Sequence, residues 1–265
     1  MIDVRWALSP LTLEESHTMK AWYLAISAAL AFPAIAGAQI TQVNYGTLAG
    51  TQFVTFDDVA GGGEPGTNYN GIFFSNGVGF AERFLGQTLT NVGGFDQLGG
   101  APSGGSLTLL AGAAGQNLNV FTNGGSQVLT GLGPVGFPSG GAIGEGSFAA
   151  LFSSGQSQFG FQLVGGDGGT AYLSFFSAGG SLIQNIALGG LANAFYGFSR
   201  AGGVQDIFGI SIWNDDGAGI GFDNLKFDVR STGGTVVPEP TSMVMLAAGL
   251  GLIGAVMRRR RNADA

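Results

Sequence analysis

Clusters of glycine divide the middle of this chain into short segments, and this spacing of glycines limits the folds that the chain can adopt. Glycine accounts for 50 of the 265 residues. Each glycine inside a helix costs about 1 kcal/mol relative to alanine, whereas turns and bulges use its conformational freedom. A disordered chain would be poor in aromatic residues and strongly charged, but this one has 21 phenylalanines and only 10% charged residues. The composition therefore favours a folded domain of short strands joined by turns.

The segments between the glycine clusters have strand length and alternate in polarity. Six of them predict strands: Phe53–Phe56, Ser106–Leu109, Leu118–Phe121, Phe159–Leu163, Ala171–Phe176 and Ile207–Ile212. No long helix is predicted between them, which indicates an all-β fold, either a β-sandwich or a jelly roll. We expect this glycine-rich domain to cover residues 39–231 and a flexible linker to follow at residues 232–237.

The N-terminal region has the three parts of a secretory signal peptide. A short positive start at Lys20 precedes an apolar run that ends in small residues at Ala36 and Ala38. This pattern predicts a signal region at residues 1–38, export through the Sec machinery and cleavage by signal peptidase before Gln39. Acidic residues in the first 18 positions are unusual ahead of a signal, so we expect translation to start at Met19. The alternative is a buried N-terminal helix.

The C-terminal region combines a short motif, an apolar stretch and a basic end. Pro238-Glu239-Pro240 precedes an uncharged run that ends at Met257, and four arginines follow at Arg258, Arg259, Arg260 and Arg261. Residues 241–257 would form a transmembrane helix of about 25 Å, enough for a thin bilayer. The arginines would hold their end in the cytoplasm and leave the preceding domain outside. The simplest interpretation is a membrane anchor.

These three parts, in this order and behind a signal peptide, resemble the PEP-CTERM sorting signal of Gram-negative bacteria, here at residues 238–265. The resemblance implies that an exosortase-type transpeptidase recognises Pro238-Glu239-Pro240 and removes the helix. It also implies an inner-membrane intermediate, then a place at the cell surface or outside the cell. Proteins of this family accompany exopolysaccharide production and biofilm formation, so the resemblance implies a role in the extracellular matrix.

Charge and residue types exclude several functions for the exported chain. From Gln39 to Pro240, 13 acidic residues face only four basic ones, which argues against nucleic acid as a partner. Cysteine is absent and His17, the only histidine, precedes the predicted cleavage site. A Ser-His-Asp triad, a cysteine nucleophile and a His/Cys zinc site are therefore excluded. Glu82 and Glu145 are candidates for a glycoside hydrolase, which needs two carboxylates. Glu82 beside Arg83 equally resembles a surface ion pair.

Calcium is the metal that the remaining side chains suit, because it takes six to eight oxygen ligands. The candidate ligands are Asp57, Asp58, Asp215, Asp216, Asp223 and Asn224. The first and last strands of a jelly roll commonly lie close together, so one site could use both ends of the domain. The alternative is that these residues form Asx turns at strand ends.

Aromatic residues suggest a second function, because sugar rings present apolar faces to aromatic side chains. The candidates are Tyr69, Phe73, Phe74, Tyr172, Tyr196 and Trp213, and the alternative is that they belong to the core. The segments Thr55–Val59 and Tyr69–Asn76 resemble the opening of sandwich-like PEP-CTERM domains. Gly221–Phe227 resembles the last strand of such domains and of carbohydrate-binding jelly rolls.

Three functions therefore remain open. The first is a non-enzymatic exported matrix protein associated with exopolysaccharide and biofilm. The second is a calcium-dependent carbohydrate-binding module, and the third is a secreted glycoside hydrolase.

Overall fold

The computed structural model describes residues 39–103 and 105–230. The predicted signal region with its cleavage site at Ala36 and Ala38, the linker, the sorting motif Pro238-Glu239-Pro240, the transmembrane helix and the basic end at Arg258–Arg261 all lie outside the described residues. Within the described part of the chain, no helix is long and apolar enough to cross a bilayer.

Nineteen strands make up the described part of the chain. They are β1 (Ile40–Val43), β2 (Gln52–Val54), β3 (Thr67–Tyr69), β4 (Phe73–Ser75), β5 (Val78–Ala81), β6 (Arg83–Phe84), β7 (Thr88–Val92), β8 (Phe95–Gly99), β9 (Leu109–Leu110), β10 (Leu118–Asn123), β11 (Ser126–Leu132), β12 (Ile143–Gly146), β13 (Phe148–Gln156), β14 (Gln158–Gly165), β15 (Thr170–Phe176), β16 (Leu182–Gly189), β17 (Ala194–Arg200), β18 (Ile207–Asn214) and β19 (Ile220–Phe227). The helical segments among these residues are three short 3₁₀ turns, Tyr45–Thr47, Gly140–Ala142 and Ala201–Gly203.

The strands form two large antiparallel sheets. Sheet A has nine strands in the order β1-β17-β14-β19-β11-β10-β3, with β12 also paired to β11 and β2 also paired to β19. Sheet B has six strands in the order β16-β15-β18-β13-β5-β4. Two further pairs, β6 with β9 and β7 with β8, form small two-stranded sheets. The pairing of β2 with β19 brings the beginning and the end of the domain together.

Phenylalanine fills the space between the two sheets. The rings of Phe148 in sheet B and Phe222 in sheet A lie 4.6 Å apart, and those of Phe175 and Phe198 lie 5.5 Å apart. All four rings are almost completely removed from solvent. Alternating residues from both sheets thus form one core, as in a β-sandwich. The prediction of an all-β, sandwich-like fold is confirmed.

The predicted strands agree with the structure where the apolar alternation is regular. The segments at β10, β14, β15 and β18 are strands over their whole predicted length. Phe53–Phe56 is a strand only to Val54, because Phe56 takes a left-handed φ of 59° and turns its ring into the core. Of Ser106–Leu109, only Leu109 belongs to a strand.

A second, smaller core covers part of the outer face of sheet B. Its buried members come from β5, β6, β9, β13, β15 and the loop before β9: Ala81, Phe84, Leu107, Leu109, Ala149 and Phe176. Gly209 in β18 has no side chain, so Phe84 and Leu107 pack directly onto its backbone. This small core covers the end of β15 at Phe176.

Candidate functional site

A groove lies on the outer face of sheet B, beside the small core. It has a volume of about 510 Å³, within the range of roughly 300–1,000 Å³ that is usual for small-ligand sites. Strands β15, β16 and β18 supply its floor, and Leu98 of β8 with the following Gly100 and Ala101 lines another part. The groove therefore lies between a large sheet and the β7–β8 hairpin.

Strand alternation explains which side chains of β15 reach this groove. Ala171, Leu173 and Phe175 belong to the main core between the sheets. Successive side chains of a strand point to opposite faces, so Tyr172 and Ser174 lie on the outer face. Both line the groove.

Two aromatic rings form one end of the groove. Tyr172 lies directly opposite Trp213 of β18, and their ring centroids are 3.9 Å apart at an interplanar angle of 13°. The other neighbour of Tyr172 is Ala187 of β16, a small residue. One face of the Tyr172 ring is thus covered by Trp213, and the residue opposite Tyr172 on the side of β16 is alanine.

Hydrogen bonds hold Tyr172 at this position. Its hydroxyl donates to Asp215 Oδ2 at 3.3 Å, and Asp215 Oδ1 accepts a hydrogen bond from the Thr170 backbone N–H at 2.7 Å. Asp215 lies on the turn after β18 and Thr170 begins β15, so both hydrogen bonds connect the same two neighbouring strands. The ring is therefore oriented before any ligand arrives.

Polar groups continue the floor beyond the rings. Ser174 lies opposite Asn185 of β16, one step along the sheet from Tyr172 and Ala187. Among the described residues that line the groove, none is Asp, Glu, Lys, Arg or His. Chemically, the groove offers an aromatic face, a hydroxyl and an amide, without a charged side chain.

The other aromatic candidates lie elsewhere. Phe73 is buried in the main core, and Tyr69 and Tyr196 pack against it. Phe74, half-buried on β4, packs against Gly79 instead. Of the six aromatic candidates, Tyr172 and Trp213 line the groove, and their role in sugar binding stays a prediction. Sequence analysis did not name Ser174, Asn185 or Ala187. Ser174 could have been found from its spacing of two residues from Tyr172, whereas Asn185 and Ala187 depend on the register of β16.

The structure separates the six calcium candidates into two groups. Asp57 and Asp58 follow β2, and Asp223 and Asn224 belong to its partner strand β19. Burial raises the pKa of Asp223, hydrogen bonds from Ser126 and Asn224 lower it, and the negative charge of Asp57 raises it. The predicted closeness of the domain's two ends is therefore present.

The carboxylates of this first group already accept hydrogen bonds from other groups of the protein. Asp58 accepts hydrogen bonds from Ser75 Oγ at 2.5 Å and from the Asn76 backbone N–H at 2.9 Å. Asp223 accepts from Ser126 Oγ at 2.7 Å and from the Asn224 backbone N–H at 2.6 Å. Asp57 accepts a longer hydrogen bond of 3.4 Å from the Gln127 backbone N–H.

The second group, Asp215 and Asp216, organises the turn between β18 and β19. Buried Asp216 accepts hydrogen bonds from the backbone N–H groups of Asp167, Gly169 and Ala218. The hydrogen bond from Ala218, two residues further along, is the Asx-turn contact that the alternative predicts. Those from Asp167 and Gly169 instead connect the turn to the loop between β14 and β15. Over residues 39–103 and 105–230, no three or more His, Cys, Asp or Glu side chains are placed to hold a metal ion together. Calcium binding stays a prediction.

The two glutamates considered for hydrolysis have different surroundings. Glu82 is 1% exposed and is paired with Arg83, so the expectation of a surface ion pair is wrong. Its carboxylate is buried beside the backbone of Gly112, in the loop after β9. Glu145 in β12 is half-buried, and burial raises its pKa to about 7, against the opposing effect of a hydrogen bond from its own backbone. No second carboxylate contributes to that shift.

A further buried carboxylate lies on the β7–β8 hairpin. Asp96 is 3% exposed, and burial raises its pKa to about 6, while the positive charge of Arg83 opposes this rise. Asp96 and Leu98 lie on the same face of β8, because they are two residues apart. The hairpin that lines the groove is thus also held beside the Glu82–Arg83 pair.

Comparison with known proteins identifies the C-terminal region. Residues 236–261 match the PEP-CTERM protein-sorting motif. No curated protein and no solved structure matches the chain. The chain carries a PEP-CTERM sorting motif after an all-β domain, as predicted, and this motif implies an exported protein that passes the membrane and is recognised by an exosortase.

Proposed function

We propose that this chain is a non-enzymatic protein of the cell surface or extracellular matrix, processed by an exosortase and associated with exopolysaccharide and biofilm. The observation that carries the proposal is the sorting motif at residues 236–261, which follows the β-sandwich domain. Signal peptidase releases the N-terminus at Gln39 after export by the Sec machinery. An inner-membrane intermediate of a Gram-negative host is then cleaved near Pro238-Glu239-Pro240.

The absence of enzymatic activity is part of this proposal. The predicted exported chain lacks histidine and cysteine, because His17 precedes the cleavage site and no cysteine is present. Glu82 is only 1% exposed, so a polysaccharide substrate has no access to its carboxylate. Within residues 39–103 and 105–230, no second carboxylate contributes to the raised pKa of Glu145, whereas glycoside hydrolysis requires two carboxylates that act together.

The intact mass of the protein from its native host tests the proposal. A species that starts at Gln39 and lacks the residues after the Pro-Glu-Pro region is expected in the envelope or the medium. A species that still carries residues 243–261 would mean that the C-terminal region is a permanent anchor. In that case the matrix role would lose its main support.

A double substitution tests the role of the motif itself. Pro238→Ala with Glu239→Ala should leave an unprocessed, membrane-bound form in a host that has the sorting enzyme. Thr241→Ala with Ser242→Ala, just after the motif, is the matched control and should be processed normally. Equal processing of both variants would contradict recognition of Pro238-Glu239-Pro240.

A carbohydrate-binding module is the second candidate function. The groove beside Tyr172 and Trp213 favours it, because a half-buried aromatic pair with neighbouring polar groups suits a sugar ring. The likeness of the last strand to carbohydrate-binding jelly rolls agrees with this function. Calcium dependence, through Asp57 and Asp223, belongs to the same candidate and is tested by chelation.

A further inference from the structure

We infer that the groove on sheet B binds a neutral glycan by stacking a pyranose ring on the free face of Tyr172, without calcium. This inference rests on the second candidate function and names its site and its ligand class. The structural elements are the Tyr172–Trp213 pair, the small residue Ala187, and the polar pair of Ser174 and Asn185.

The arrangement of neighbours leaves one aromatic face available. Trp213 stacks on Tyr172 from the side of β18, at a centroid distance of 3.9 Å. On the side of β16, the residue opposite Tyr172 is Ala187, whose methyl group is exposed. A larger side chain at this position would occupy the space beside the ring. With alanine there, a flat ligand can contact the ring from the groove.

The pair of rings is also rigid. Trp213 supports one face of Tyr172, and Asp215 accepts the hydrogen bond of its hydroxyl. A side chain that is already ordered loses little conformational entropy when a ligand binds, and this raises affinity.

Ser174 and Asn185 supply the polar contacts that a sugar requires. They lie opposite each other, two residues along the strands from Tyr172 and Ala187 and therefore on the same face of the sheet. Neither side chain has a hydrogen-bond partner among the described residues, so the hydroxyl and the amide can both donate and accept. A pyranose combines an apolar face of C–H groups with a rim of hydroxyls, which matches an aromatic ring beside this polar pair.

Charge selects a neutral glycan rather than an anionic one. Residues 39–230 contain 12 Asp and Glu but only four Lys and Arg, so the domain repels polyanions. Within the described part of the chain, the residues lining the groove include no basic side chain that could pair with a uronate or a sulfate. They also include no carboxylate that could hold a bridging calcium ion.

Trp213 makes the site directly observable. The sequence contains three tryptophans, and Trp6 and Trp22 precede the predicted cleavage site. In the exported protein Trp213 is therefore the only tryptophan, and its fluorescence reports on the groove alone. The experiment is a fluorescence and calorimetric titration of the protein purified from its host. The probes are cellohexaose and laminarihexaose, with polygalacturonate as the anionic comparison.

Two variants separate the site from the fold. Tyr172→Ala removes the platform and should weaken binding by about tenfold or more. Ala187→Leu keeps both rings but fills the space beside Tyr172, and it should weaken binding to a similar extent. The control is Phe195→Ala on sheet A, an aromatic residue that is 53% exposed and lies outside the groove. This control should bind as the unchanged protein does, and thermal unfolding verifies that each variant is folded.

The expected result is binding of at least one neutral hexasaccharide, with a change in Trp213 emission, unaffected by a chelator. Absence of binding up to about 10 mM would overturn the inference. Binding that persists in both groove variants would also overturn it. So would poor access of a soluble quencher to Trp213, because this would indicate that another part of the chain covers the groove. If a chelator abolishes glycan binding and the groove variants do not, the inference is wrong and the chain is a calcium-dependent module whose site lies elsewhere. None of these outcomes alters the mass of the processed protein, which tests export and sorting independently.

Discussion

Glu145 allows a quantitative prediction about stability and pH. Its side chain lies in β12, where its Cβ is close to Gly133 and one carboxylate oxygen is close to Gly219. The other oxygen, Oε2, is buried and has no hydrogen-bond partner among the described residues. Burial of this kind penalises the ionised form, and it raises the pKa of Glu145 from 4.5 to about 7. The folded protein therefore favours the protonated carboxyl group.

The magnitude follows from this pKa. A difference of one pH unit corresponds to 1.36 kcal/mol, so a rise from 4.5 to about 7 corresponds to at most about 3 kcal/mol. Between these pH values the folded state binds more protons than the unfolded state, and the free energy of unfolding falls as pH rises. The penalty is absent below about pH 4.5 and complete above about pH 7. Because the Glu145 side chain is only half-buried, its contact with water makes this penalty smaller than the maximum.

The substitution Glu145→Gln removes the titrating group and retains the shape. We expect the variant to gain up to about 3 kcal/mol relative to the unchanged protein between pH 4 and pH 8. Urea denaturation followed by circular dichroism at both pH values measures this difference. Asp96, whose pKa is also raised, is present in both proteins, so its contribution cancels. The exposed Glu64 provides the control, because Glu64→Gln should follow the unchanged protein.

The result that refutes the reasoning is a constant difference between the two proteins at pH 4 and pH 8. A constant difference would mean that Glu145 ionises in the folded state as easily as in the unfolded chain. The new amide of the variant shifts both values equally, so it does not affect this comparison.

Two further predictions concern the turns that hold the strands together. Asp216→Ala should lower the free energy of unfolding by about 3 kcal/mol or more, because three backbone N–H groups lose their acceptor. Asp215 is exposed, so Asp215→Ala should lower the free energy of unfolding by less in the same denaturation experiment. Gly146→Ala should destabilise the domain strongly or prevent folding, because the new methyl group would overlap the backbone of Gly131. Gly140 has open space around it, so the control Gly140→Ala should have a small effect on the melting temperature.

The strands that were predicted and those that were missed differ in their surroundings. β14 and β15 have one face in the core and one face toward partly exposed positions, so their sequences alternate. β13 is covered on both sides: Phe148 and Ala150 face the main core, and Ala149 faces the small core. Burial on both sides removes the alternation that sequence analysis uses. β13 was therefore missed, although it lies in the middle of sheet B.

The aromatic candidates illustrate the limit of local sequence at the site. Tyr196 and Tyr172 are the same residue type on strands of similar length, yet Tyr196 packs against the main core and Tyr172 lines the groove. Pairing between β15 and β18 brings Tyr172 and Trp213 into contact across 41 positions. Such pairing depends on long-range register, which neither residue's neighbours in the sequence specify.

The sequence by itself determined the all-β character of the domain and its route out of the cell. Both depend on local signals: glycine and alternation specify short strands, and the sorting motif at residues 236–261 is a linear segment of sequence that implies recognition by an exosortase. Only the tertiary structure decided which polar and aromatic side chains are accessible. It buried Glu82, stacked Tyr172 on Trp213 and placed Asp216 among backbone N–H groups. The physical reason is that accessibility results from the packing of whole sheets, to which residues far apart in the sequence contribute together.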